Sequence, residues 1–374
     1  MTSRTVRART TGGASEDVEA REFEDWQRQV RARTSAHLRD FLDRRYREHL
    51  DDETRVIAKV LGTATSGGKQ VRSLFVLVGW LCGAEENPAA VRAAASAELL
   101  HCFALVQDDV MDESALRRGA PSAHSMFAQW HQAEGLPGSA QRFGESAAVL
   151  AGDLCLVWAG QMLRESGLPA EAVARAAPRY DWMRAELAVG QFRDLLNVVE
   201  QETSVERVLS IARAKSGHYT VRRPLELGAD LAGCPAEVLG ALGAYGDAVG
   251  EAFQLRDDVL GVFGDPGVTG KPVGDDLRAG KAVTVVAVAE ELATGAQRAR
   301  LRDLRRAGGQ DRLDDDAVLR WLAIIEETGA RERVEQLIDQ RLQRGLTALA
   351  AAPIPVRARA HLTALARVCC DRTR

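Results

Sequence analysis

Two aspartate clusters, about 150 residues apart, stand in otherwise apolar stretches of the chain. Asp108, Asp109 and Asp112 occur in QDDVMD, and Asp257 and Asp258 in FQLRDDVLGVFGD. On a helix Asp108 and Asp112 share a face, with Asp109 about 100° around. Like charges at that spacing repel unless a cation occupies the site. Hard oxygen donors that give one or two carboxylates per ion suit magnesium that also binds substrate phosphates. The pairing therefore points to diphosphate chemistry. A solvated acidic helix face is the plain alternative, but the flanks oppose it. Leu99, Leu100, Phe103, Leu105 and Val106 precede the first cluster, and Phe253, Leu255, Val259 and Leu260 surround the second. Carboxylates rooted in apolar helices usually point into a cavity.

A cationic set complements the acidic one. Gly67-Gly68-Lys69-Gln70-Val71-Arg72 leads into an apolar run, Leu74–Leu81. Paired glycines let the backbone approach an anion, and a helix start offers free N–H groups. Lys69 and Arg72, three apart, then reach one phosphate. Arg117 and Arg118 follow Asp112 closely; if still helical, they project about 100° apart and serve two different anions. Lys215-Ser216 and Gln254 come next. Lys271 and Lys281 then flank Gly274-Asp275-Asp276 in a Gly/Pro-rich loop of the kind that closes over phosphate, or simply turns at the surface.

The elements that must position these groups read as helices. Alanine and leucine recur at helical spacing over Val91–Val106, Ser146–Leu163 and Ala241–Leu260, and strand-like alternation is scarce. Breaks are expected at Gly62–Gly68, Glu85–Pro88, Gly119–Pro121, Gly135–Gly138, Gly264–Gly274 and Pro353–Pro355. Ala296–Asp316, rich in Arg and Asp, reads as a solvated helix pair with a loop. With 374 residues, 46% apolar content and no Pro/Gly/Ser-rich linker, one large all-α domain over residues 21–374 is expected. Residues 1–20, rich in Arg, Ser and Thr, read as a disordered tail. A net charge of −4 offers no basic field for nucleic acid. The six cysteines show neither CxxC nor paired spacing and read as buried thiols in a reducing, cytoplasmic compartment. No uninterrupted run of 18 apolar residues occurs, which argues against a transmembrane segment. The ending Cys369-Cys370 lacks the aliphatic residues of a prenylation signal.

Taken in order, these segments resemble the trans-isoprenyl diphosphate synthases. GGKQVR, ELLHCFALVQDDVMDESALRRGAPSAH, GQFRD (Gly190–Asp194), Lys215-Ser216, FQLRDDVLGVFGD and GKPVGDDLRAGK follow the family's order, from Gly67 to Lys281. The resemblance implies an isoprenoid-synthase fold, with helices around a deep central cavity, usually as a homodimer. It implies condensation of isopentenyl diphosphate with an allylic diphosphate. Three magnesium ions would bridge Asp108, Asp112 and Asp257 to the allylic diphosphate. Arg117, Lys215, Ser216, Gln254, Lys271 and Lys281 would hold that same group, and Lys69, Arg72, His101 and Arg118 would hold isopentenyl diphosphate. His101 lies seven residues before Asp108, about 20° from the same helical face. Two diphosphates beside five carboxylates are prohibitive without metal, which agrees with these roles. The departing diphosphate would take the final proton.

Three positions depart from the family pattern. Gln107 stands where many members have His, Ser216 where Thr is usual, and Gly261 where the second motif ends in Asp, leaving Asp257 and Asp258 as its ligands. A class I terpene cyclase shares the fold and the first DDxxD, but it carries an Asn/Ser/Glu triad and needs no isopentenyl site. A non-catalytic partner subunit is the other alternative, although both clusters are kept here. For product length, Phe103 lies five residues before Asp108 and the small Ala104 four. An aromatic at the fifth position alone resembles the makers of geranylgeranyl diphosphate, with farnesyl or geranylfarnesyl diphosphate as alternatives.

Overall fold

Side chains with strong helical preference and few β-branched alternations leave the backbone one economical way to pair its own polar groups, and the chain takes it almost throughout. A computed structural model describes residues 12–200, 204–265, 273–278, 283–308 and 313–370. The helices are α1 (Gly12–His49), α2 (Arg55–Thr65), α3 (Val71–Leu81), α4 (Pro88–Met111), α5 (Ala123–Ala133), α6 (Ala140–Arg164), α7 (Ala170–Glu200) and α8 (Val205–Ala212). A π-helix, Arg213–Arg222, follows. Beyond it come α9 (Arg223–Ala232), α10 (Ala236–Phe263), the short α11 (Asp275–Arg278), α12 (Thr284–Leu292), α13 (Gly295–Gly308), α14 (Asp315–Glu327), α15 (Ala330–Ala350) and α16 (Val356–Cys370). The architecture is all-α. Among the described residues, extended structure is one hairpin, in which β1 (Leu116–Arg117) pairs antiparallel with β2 (Ala120–Pro121).

Helix α4 is the central strut. Asn87 caps it by accepting a hydrogen bond from the Ala89 N–H at 2.7 Å, and Pro88 opens it without wasting a donor. Ala89 to Leu100 are buried around the whole circumference save Arg92, as a helix apolar on every side must be. It packs along α6, and α10 packs on the π-helix and on α15. Helices α4 and α6 have the length and hydropathy to cross a bilayer, yet 72% and 50% of their apolar windows are buried inside this fold.

Backbone-to-backbone contacts seat the π-helix between these struts. A Cβ added at Gly250 of α10 would lie 2.6 Å from the Gly217 carbonyl oxygen, and one at Gly190 of α7 would lie 2.8 Å from the Lys215 nitrogen. Only residues without side chains allow both approaches. Lys215 is thereby wedged at a fixed height between α7 and α10.

The helices expected over Val91–Val106, Ser146–Leu163 and Ala241–Leu260 lie inside α4, α6 and α10. The break at Gly119–Pro121 is a hairpin turn, with Arg118 at φ +54° and Gly119 at φ +75°. Of the expected N-terminal tail, residues 1–11 lie outside the described residues, and α1 runs from Gly12.

Candidate active site

The first cluster is built at the C-terminal end of α4. Asp108 points to the cavity and meets the Lys215 ammonium at 3.1 Å and the Arg117 guanidinium at 3.6 Å. Lys215 also binds Asp194 of α7 at 2.6 Å, so one cation ties α4, the π-helix and α7 together. Asp112 ends α4, its N–H donating to the Asp108 carbonyl at 2.8 Å. Asp109 behaves differently. It is 2% exposed and turned inward, where its carboxylate accepts from the Arg117 Nε at 2.9 Å. Burial raises its carboxyl above the usual range, against the opposing pull of Arg117. The pair of Arg117 and Arg118 is not helical as supposed. The positive φ values at Arg118 and Gly119 form a tight two-residue turn, and the passage from strand to left-handed turn sends the two side chains apart. Arg117 returns to the aspartates, while Arg118 donates to the Ser66 carbonyl at 3.1 Å.

That second direction defines a basic niche. The loop before α3 runs through Gly67 at φ +72° and Gly68 at φ +79°, and the Arg118 guanidinium lies where a Cβ on Gly68 would be. Lys69 is exposed on this loop. Arg72 donates to the Thr220 hydroxyl at 2.8 Å and stacks its guanidinium 4.5 Å above the Tyr219 ring. His101 comes from α4, and its Nδ1 is buried with no hydrogen-bond partner. Burial, reinforced by Arg72, Arg118 and Arg117, holds its imidazole well below the usual histidine range, hence neutral. Clustered cations beside an orphaned ring nitrogen fit an anionic ligand.

A cavity of about 500 Å³ connects the two regions. Arg72 and His101 line it at the niche and Asp108 and Lys215 at the aspartates; Phe103, Ala104, Leu156, Leu187, Phe192 and Leu195 make the remainder largely apolar.

The second cluster sits on α10. Asp257 is half-buried. Asp258 is 5% exposed and accepts from the Thr284 N–H at 2.9 Å and from the Gln254 amide at 2.8 Å. Burial pushes its carboxyl up to about 6, with Asp276 adding to the rise. Asp258 thus fastens the start of α12 to α10, and Gln254 is engaged with it and not with the cavity. Expecting Asp258 as a ligand treated it as equal to Asp257; the helix turns the two 100° apart and buries one. Lys271 and Lys281 lie outside the described residues, as does the side chain of Ser216.

Asp194 and Tyr219 escaped a role in the sequence. Asp194 was visible within GQFRD, and Tyr219 is one helical turn beyond Lys215. Among the described residues, no three His, Cys, Asp or Glu side chains converge tightly enough to hold a metal by themselves. Asp108 and Asp112 instead share one face of α4 beside Arg117 and Lys215, and paired carboxylates at that spacing can share a cation with phosphate oxygens.

The model of the polyprenyl synthetase family matches residues 54–322. The chain belongs to that family, the trans-isoprenyl diphosphate synthases, and is a prenyltransferase; the family uses divalent metal. It is 35% identical to the geranylgeranyl diphosphate synthase of Mycobacterium tuberculosis over 311 residues, 83% of this chain and 81% of the relative. The geranylfarnesyl diphosphate synthase of Aeropyrum pernix is 33% identical over 293 residues, 77% of this chain and 85% of the relative. Further relatives are named as farnesyl and nonaprenyl diphosphate synthases. Among solved structures, a geranylgeranyl pyrophosphate synthase from Corynebacterium glutamicum, complexed with isoprenyl diphosphate and magnesium, superposes with a TM-score of 0.86. It is 38% identical, over 91% of this chain and 98% of that one.

Proposed function

We propose that this chain joins isopentenyl diphosphate head to tail (1'-4) to an allylic diphosphate, with magnesium, and that its product is geranylgeranyl diphosphate. The observation that carries this reading is a largely apolar cavity lined by Arg72 and His101 of the basic niche and by Asp108 and Lys215. Lys69, Arg72, His101 and Arg118 hold isopentenyl diphosphate. Asp108, Asp112 and Asp257 hold the metal, three ions by the family's pattern, while Arg117, Lys215, Ser216, Lys271 and Lys281 would bind the allylic diphosphate. Bound magnesium supplies counter-charge for the departing diphosphate. Lys215, fixed by Asp194 and the glycine contacts, places a cation beside the same leaving group without reorganising. The apolar walls exclude water from the carbocation. Asp109 and Asp258 position these groups without touching substrate.

Two further features support the wider setting. Val149, Leu150 and Val157 on α6 and Trp182, Val189 and Phe192 on α7 are exposed apolar residues, suited to a homodimer face. Five of the six cysteines are buried, as a cytoplasmic protein keeps its thiols.

Phe103 and Ala104 both line the cavity on the α4 side, so they set its depth. Phe103→Ala lengthens the product and Ala104→Phe shortens it, read by chromatography of the dephosphorylated prenols. An active Phe103→Ala variant with unchanged product length removes Phe103 as the floor. Arg72→Ala raises the KM for isopentenyl diphosphate, whereas Lys215→Ala lowers turnover; steady-state kinetics with each substrate varied separates them.

A further inference from the structure

The second aspartate motif lacks its last carboxylate, and another part of the chain delivers one to the vacated space. Gly261 follows Asp257 by four residues on α10, so both lie on one helical face. A Cβ built on Gly261 would overlap the Asp276 carboxylate, which reaches across from α11. The three atoms nearest that Cβ all belong to the Asp276 side chain.

Packing on both sides positions this carboxylate. Gly274 precedes it at φ +72°, and a Cβ there would come within 2.5 Å of the Val318 Cγ1. Leu277, the next residue, is fully buried in the apolar cluster that includes Val259 and Val262 of α10. Arg278 then binds Asp315 at 2.5 Å and the Leu313 carbonyl at 3.2 Å. Asp276 is therefore pinned from both sides, half-buried, over the α10 face that carries Asp257.

We propose that Asp276 is a metal-binding residue that replaces an aspartate at 261, so the second divalent site is shared between Asp257 of α10 and Asp276 of α11. This rests on the reading of Asp257 as a metal ligand. The chemistry is conserved while its backbone origin moves. A carboxylate is a hard oxygen donor whichever segment carries it, and negative charge gathered on the Asp257 face favours a cation there. Gly261 is then a requirement and not a loss, because a side chain at 261 displaces the donor.

The test is binding of Mn²⁺, used as a paramagnetic probe, to the full chain in the presence of inorganic pyrophosphate, with free Mn²⁺ counted by electron paramagnetic resonance. Asp276→Ala and the isosteric Asp276→Asn each weaken binding by about tenfold or more, with circular dichroism unchanged for at least the Asn variant. Gly261→Asp alone also weakens it, since two carboxylates then compete for one volume. The double variant Gly261→Asp/Asp276→Ala recovers most of the lost affinity, which a purely structural role for Asp276 would not produce. Wild-type Mn²⁺ affinity in folded Asp276→Asn, while Asp257→Ala loses it, overturns the proposal. Wild-type affinity in Asp257→Ala overturns the underlying assignment of Asp257, and with it this site.

Discussion

Asp109 and Asp258 occupy equivalent places, each the second member of an aspartate pair, each buried, and each facing away from the cavity. Their partners differ. Asp109 is met by a cation, Arg117. Among the described residues, Asp258 is met by neutral donors, the Thr284 N–H and the Gln254 amide. One buried carboxylate is therefore part of an ion pair that sets the direction of an arginine. The other is a hydrogen-bond acceptor that joins two helices and carries a carboxyl pushed up to about 6. Adjacent aspartates in a motif thus differ: Asp108 lines the cavity and Asp257 stays half-buried, while the second of each pair is buried and bonded within the fold.

The largest effect separates the two members of a pair. Asp108→Ala and Asp257→Ala lower turnover by about a hundredfold or more, while Asp258→Asn keeps most activity because the amide oxygen still accepts from Thr284. Comparable losses in Asp257→Ala and Asp258→Asn, measured at saturating substrate with intact fold, would erase the distinction.

A smaller effect separates the two buried carboxylates. Asp109→Asn removes the carboxylate charge nearest Arg117, leaving Asp108 3.6 Å away and the more distant field of Asp112, and destabilises the fold by about 3 kcal/mol, near the low end for breaking a buried pair. Asp258→Asn costs within about 1 kcal/mol, the worth of a neutral hydrogen bond. Urea denaturation of both variants reads the difference, and equal midpoints would show that Arg117 does not depend on Asp109.

The smallest effect is in the pH dependence. The Asp258 carboxyl is raised from 3.8 to about 6 on folding, so the stability it contributes is fully present below 3.8 and is lost as pH rises through about 6. In chelated protein, Asp258→Asn flattens that fall between pH 4 and about 6 relative to the parent chain. An unchanged slope places the titration elsewhere.

What the sequence made legible was local. Asp108, Asp112, Arg117 and Arg118 fall within a dozen residues, and helical spacing placed His101 near the Asp108 face without any knowledge of the neighbours, whereas Phe103 came from the family's product-length pattern. The turn at Arg118-Gly119 was marked as a break, but its hairpin form was not, since a left-handed arginine has no compositional signature. Long-range matters were hidden. Nothing in FQLRDDVLGVFGD reveals that Thr284 returns to cap Asp258, or that Asp276 fills the space over Gly261. Asp194 was quoted within its motif but gained a role only when the π-helix brought Lys215 to it.

The central claim, metal-dependent condensation of two diphosphates, is met most directly by incubating chelator-treated protein with isopentenyl and farnesyl diphosphates and then adding magnesium. No product before magnesium, and geranylgeranyl diphosphate after it, is the result predicted here. Product formation in excess chelator, or consumption of farnesyl diphosphate with isopentenyl diphosphate untouched, would contradict it.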